Sequence, residues 1–74
     1  MASSYCKNLA ENLQRSMEKD EFLLNLLEEI DPNLKDTPVT VEGFRFLEDM
    51  YFQNQKEINS LIEMLAKNCI EDFN

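Results

Sequence analysis

The sequence contains no histidine and no tryptophan, a single glycine and two prolines among its 74 residues. Without histidine, it lacks the commonest general acid–base and the usual partner of a serine or cysteine nucleophile. The Glu-x-x-His pairs of a di-metal carboxylate bundle are also excluded. So few glycines and prolines leave too few turn residues for an all-β fold. We expect an all-α protein that is not an enzyme and binds no cofactor.

Long apolar runs and basic patches are also absent. The longest apolar runs have three residues, for example Met50-Tyr51-Phe52, which is too short for a membrane span or the core of a signal peptide. Seven basic residues face 15 acidic ones, for a net charge of −8. The positive footprint needed to bind nucleic acid or an anionic membrane is therefore missing. We expect a cytoplasmic (intracellular) protein that contacts neither directly.

Hydrophobic residues make up 43% of the chain, and many recur at helical spacing. From Ser4, the expected N-cap, an apolar stripe with steps of three and four residues predicts a helix over 4–30. Asp20 falls within this stripe, so the helix either continues past it or breaks near 19–20, where Asp20 would cap a second helix. We favour a continuous helix because no glycine or proline marks a stop.

A second, longer helix is predicted over about 38–70. Pro32 disfavours helical geometry in the residue before it, so 31–37 is expected to connect the helices. Thr37-Pro38 is typical of an N-cap followed by proline in the first turn, and Thr40 is an alternative cap.

Two long helices joined by a short connector predict one domain, 1–74, folded as an antiparallel hairpin. A lone hairpin leaves half of each apolar stripe in water, whereas two hairpins can bury both. We therefore expect a dimeric four-helix bundle, or a compact three-helix bundle if the first helix breaks. The stripe residues assigned to the core or dimer interface are Leu9, Leu13, Leu24, Leu27, Phe44, Leu47, Tyr51, Ile58, Ile62 and Leu65.

Other apolar residues lie off these stripes. A helix that is apolar on two faces either sits centrally in a bundle or carries a binding surface. We assign to partner binding Phe46, Met50, Phe52, Met64, Phe22 and Leu26. The predicted function is a helical adaptor, small subunit, chaperone or inhibitor that binds a homodimer partner, a heterologous protein, or both.

The sequence leaves two alternative functions open. The charge of −8 is also typical of an acidic inhibitor or immunity-type protein that masks a basic, nucleic-acid-binding site. Residues 31–42 loosely resemble a calcium-binding EF-hand loop, with Asp31, Asn33, Thr37 and Glu42 in ligand positions. However, Lys35 replaces an oxygen ligand and Asp36 replaces the turn glycine, so we expect no metal site.

The two cysteines, Cys6 and Cys69, lie near opposite ends of the chain. An antiparallel hairpin would bring them together, and a bridge would need Cα atoms within about 7 Å. Because no secretion signal is apparent, we expect reduced, buried thiols.

Overall fold

Two helices pack against each other as an antiparallel hairpin. The computed structural model describes residues 3–30 and 40–70. Helix α1 spans Ser4–Glu29 and helix α2 spans Val41–Asn68. The predicted helical hairpin is confirmed, and the three-helix alternative is wrong because α1 continues through Asp20 without a break. The expected connector at 31–37 lies outside the described residues.

Each helix begins at a side-chain cap. The Ser3 hydroxyl accepts a hydrogen bond from the Cys6 N–H at 3.1 Å, so the N-cap of α1 is Ser3 rather than Ser4. The Thr40 hydroxyl accepts from the Gly43 N–H at 3.0 Å, which makes the later of the two candidate caps the start of α2. Both caps satisfy a backbone donor that has no partner within its helix.

An unbroken heptad pattern forms the seam between the helices. Its positions alternate in steps of three and four residues, and every one is buried or half-buried. This is the spacing that keeps one face of each helix directed at its neighbour. The inward positions are Cys6, Leu9, Leu13, Ser16, Asp20, Leu23, Leu27 and Ile30 on α1, and Phe44, Leu47, Tyr51, Asn54, Ile58, Leu61 and Leu65 on α2.

The expectation of reduced thiols is wrong. Cys6 and Cys69 form a disulfide, with Cα atoms 5.7 Å apart, at the end of the hairpin away from residues 31–39. Both are almost fully buried and form the main core cluster with Leu9 and Leu61. Cys6 lies in the first turn of α1 and Cys69 is the C-cap of α2. The antiparallel fold itself therefore brings the two cysteines within bonding distance.

Two of the residues assigned to the core or dimer interface lie outside the hairpin's own core. Leu24 and Ile62 are exposed, whereas their neighbours Leu23 and Leu61 are buried. An apolar-only pattern passes over Ser16 and selects Met17, the apolar residue beside it. The seam instead passes through the polar residue before it, Ser16, so the inward face is displaced by one residue.

The disulfide is expected to supply much of the hairpin's stability. Closing a loop of 63 residues removes unfolded-state entropy worth about 4 kcal/mol, similar to the roughly 3–5 kcal/mol that a core this small provides. Reduction should therefore lower the free energy of unfolding by about 4 kcal/mol. Urea titration followed by circular dichroism, with and without reductant, measures this change. The Cys6→Ser, Cys69→Ser double variant is the control and should not respond to reductant; an unchanged wild-type midpoint would contradict the prediction.

Adjacent residues on α2 offer a second test. Leu61 is 6% exposed and Ile62 is 49% exposed. Leu61→Asp should remove the helical signal or lower the melting temperature strongly, because it buries an unpaired carboxylate. Ile62→Asp should retain the helical circular dichroism signal. Equal losses in the two variants would show that the seam has been placed incorrectly.

Candidate protein-interaction surfaces

Apolar side chains border the seam on both sides. In an antiparallel helix pair, the positions that follow the seam form one side face and those that precede it form the other. The first face carries Met17, Leu24, Val41 and Ile62, and we call it the aliphatic flank. The second carries Phe22, Leu26, Phe46 and Met50, and we call it the aromatic flank.

The aliphatic flank extends along most of the hairpin. All four of its defining side chains are exposed. A shallow cavity of about 370 Å³ lies on it, lined by Ala10, Leu13 and Met17 with Glu18 and Glu21 at its edge. The flank is therefore an apolar surface with polar borders.

A wider groove, of about 660 Å³, lies on the aromatic flank. Phe46 and Met50 supply its apolar lining, and Lys19 of α1 and Glu57 of α2 border it. The Phe46 side chain is 65% exposed, whereas Met50 is half-buried. A rigid aromatic beside a flexible thioether is a combination that adapts to a partner's side chains.

A polar pair interrupts the seam near its middle. Asn54 is 3% exposed, and its side-chain amide donates to the Ser16 carbonyl oxygen at 2.7 Å. The Asn54 Oδ1 atom is buried and has no hydrogen-bond partner among the described residues. Because a buried unpaired acceptor is costly, this position trades stability for a defined pairing of the helices.

A second polar contact lies one turn away. The Gln55 side-chain amide donates to the Asp20 carboxylate at 2.6 Å and to the Tyr51 hydroxyl at 3.1 Å. Asp20 was the residue at which the sequence left a helix break open. Its carboxylate is half-buried and hydrogen-bonded across the seam, which explains how α1 continues through it.

Four of the six predicted partner-binding residues share the aromatic flank. The Asp20–Gln55 hydrogen bond gives the register of the two antiparallel helices. In that register Phe22 is within one helical turn of Met50 along the hairpin, and Leu26 is within one turn of Phe46. Phe22 is 65% exposed and Leu26 is half-buried. The structure thus brings these residues of two helices together into one patch.

The other two residues assigned to partner binding lie outside the aromatic flank. Met64 packs against the disulfide cluster, so it contributes to the core of the hairpin. Phe52 is exposed but lies on the side of α2 nearer the aliphatic flank. Its ring contacts Tyr51 edge-on, with centroids 5.7 Å apart. Its distance from the stripe was visible in the sequence, but the side on which it lies was not.

Sequence reasoning overlooked two groups of residues. It gave no role to Asn54 and Gln55, two polar residues within the apolar pattern of α2, although the heptad spacing continues through them. It also did not assign Met17 or Val41 to a binding surface. The strict alternation of three and four residues was the signal that would have identified both groups.

Most of the EF-hand-like segment, 31–39, lies outside the described residues. Among residues 3–30 and 40–70, no group of three or more acidic or cysteine side chains is placed to hold a metal ion. Neither described helix is long and apolar enough to cross a membrane. Comparison with known proteins found no matching family model, curated protein or solved structure.

The polar pair provides a test of the seam. Asn54→Leu removes the unpaired buried acceptor and places an apolar side chain in the seam. We expect the free energy of unfolding to rise by about 1 kcal/mol, measured by urea denaturation. Gln53→Leu, at the exposed neighbouring position, should change it by less than about 0.5 kcal/mol. A loss of stability in Asn54→Leu would instead show that the amide bond to Ser16 outweighs the unpaired oxygen.

Proposed function

We propose that this protein is a non-enzymatic helical interaction module that holds another protein against its apolar flanks. The supporting observation is the number of large hydrophobic side chains that stay exposed in the hairpin. Nine of them are exposed in the described residues: Tyr5, Met17, Phe22, Leu24, Val41, Phe46, Phe52, Ile62 and Ile70. Contiguous exposed apolar surface is typical of a site that another macromolecule covers.

The small core supports the same proposal. Only five hydrophobic residues in the described part of the chain are buried, and two of them are the bridged cysteines. Small proteins commonly make up for such a core with disulfides or oligomerisation. A dimeric four-helix bundle would bury one flank of each hairpin. The other flank would then be available to a heterologous protein, as an adaptor, small subunit, chaperone or inhibitor requires.

A second function is favoured by the distribution of charge. Glu11, Glu18, Glu42 and Asp49 lie on the outer surfaces of the helices and are exposed. The only ion pair among the described residues joins Lys67 to Glu63, at 2.9 Å on the surface. Most carboxylates are thus free to face a basic partner, which supports the alternative of an acidic inhibitor that masks a nucleic-acid-binding site.

Site-specific photo-crosslinking in cells tests the proposal. A photoreactive phenylalanine analogue replaces Phe46 on the aromatic flank, Leu24 on the aliphatic flank, or Glu11 on the outer surface of α1. We expect discrete protein adducts, identifiable by mass spectrometry, from Phe46 or Leu24 and not from Glu11. If neither flank gives an adduct above the Glu11 background, the interaction module is ruled out.

Salt separates the two candidate functions when the crosslinking is repeated in a cell extract. Raising the ionic strength of the extract to 1 M shortens the Debye length to about 3 Å. An adduct held by apolar contacts at Phe46 should keep its yield. An acidic inhibitor should instead crosslink from Glu11 at low salt and lose that adduct at high salt.

A further inference from the structure

We propose that a second copy of this chain docks on the aliphatic flank, so that two aliphatic flanks form the interior of a four-helix bundle and the aromatic flanks face outward. This inference rests on the proposed function and names one partner and its surface.

The heptad of α1 has the pattern of a helix with two neighbours. A helix in a two-stranded seam needs apolar residues at two positions per heptad, whereas a helix in a bundle needs a third beside them. On α1 the third position, directly after the seam, is Ala10, Met17 and Leu24 in successive heptads. No polar residue interrupts that row, so α1 has a continuous second apolar face.

Helix α2 continues this surface at both ends of the hairpin. Ile62 lies one turn from the disulfide cluster, and Val41 is the first residue of α2 at the other end. Between them are Glu48 and Gln55, both half-buried, and the Gln55 amide is already bonded to Asp20. Both ends of the flank are thus apolar on α2, and at its centre the apolar surface comes from α1.

The aromatic flank does not have this continuity. On α1 the residues directly before the seam are Tyr5, Asn12, Lys19 and Leu26, so its centre is polar. Glu57 occupies the corresponding central position on α2, and it borders the groove together with Lys19. A second copy packed here would have to bury Lys19 and Glu57, both exposed in the hairpin, which is costly. In the rows of the aliphatic flank that hold Met17 and Ile62, the one charged residue of the described helices is Glu48, which is already half-buried.

The distribution of charge allows two copies to meet on the aliphatic flank. The charged side chains on that side are Lys7, Glu21, Glu28, Arg45 and Glu48, which are close to balanced. The net charge of −8 comes instead from other positions, including Glu11 on the outer surface of α1 and Asp49 on that of α2. Two copies joined by this flank keep those carboxylates away from the interface, in high dielectric where repulsion is weak.

The length of the hairpin sets how much surface one flank offers. Helix α2 spans 28 residues, or about 42 Å at 1.5 Å per residue, and the Cα atoms extend over 15 Å across the hairpin. The flat projection of one side face is therefore about 630 Å², the product of these two lengths. Stable protein interfaces of standard size bury about 800 Å² of accessible surface per partner. A stable dimer therefore needs the second copy to cover the whole length of the flank.

Light scattering of the purified, oxidised protein over a wide range of concentration tests this inference. Wild type should have a mass of twice 8.7 kDa. Leu24→Asp should raise the dissociation constant of the dimer by about one order of magnitude or more, because the interface would bury the new carboxylate. Its circular dichroism spectrum should stay helical. Phe22→Asp is the matched control, since it lies two residues away on the aromatic flank and is 65% exposed against 39% for Leu24. It should leave the dimer intact.

Each other result overturns the inference. A monomeric wild type excludes the second copy, but flank crosslinks to a different protein would still support the interaction module. Dissociation by Phe22→Asp would place the copy on the aromatic flank or on both flanks, and a dimer unaffected by Leu24→Asp would place it elsewhere. Should Leu24→Asp lose its helical signal, Met17→Asp replaces it, because Met17 is exposed on the same flank.

Discussion

The Cys6–Cys69 disulfide fixes the register of the two helices, and the other contacts of the hairpin depend on that register. It joins the ends of α1 and α2 that lie farthest from residues 31–39, where the two chain segments would otherwise separate first. Leu9 and Leu61 pack beside it, and together these residues form the main apolar cluster of the described structure. With one end covalently closed, a slip of one turn along the seam is excluded. Both flanks therefore present a fixed set of side chains from two helices.

The polar contacts at the middle of the seam reinforce this register at some cost in stability. The hydrogen bonds from Asn54 to Ser16 and from Gln55 to Asp20 form only in the observed alignment of the two helices. An apolar seam would tolerate several alignments, whereas a buried amide penalises all but one. The buried Asn54 Oδ1 atom has no hydrogen-bond partner among the described residues. Its loss of hydration is therefore not offset, and the defined alignment costs some stability. A disulfide at one end and a polar contact at the centre are two independent constraints on the same alignment.

The sequence was sufficient to predict two helices, their antiparallel pairing and an apolar patch at Phe46 and Met50, because these depend on local spacing and on the position of Pro32. It did not separate the seam from the exposed positions Leu24 and Ile62 beside it, since an apolar-only pattern cannot show that Ser16 and Asn54 point inward. Polar residues are accepted in a seam only when a partner across it satisfies them, and that partner is known only from the tertiary structure. The cysteine pairing was missed for a different reason. An antiparallel hairpin allows a Cys6–Cys69 bridge, but a sequence without an apparent secretion signal favours reduced thiols, so the two signals disagree.

The disulfide and the proposed dimer act on the same equilibrium, the unfolding of a hairpin with a small core. Each stabilises the folded form, one by restricting the unfolded chain and the other by binding only the folded one. The expected intracellular location remains a prediction, and in that compartment thiols tend to reduce disulfides. A reduced hairpin would lose its covalent constraint, so its folding would depend more strongly on a second copy or on another partner. Burial of both cysteines opposes reduction, because a thiolate must reach a sulfur atom to break the bond. Packing of a partner near the disulfide end, where Ile62 lies, would oppose it further and link the redox state of the protein to its assembly.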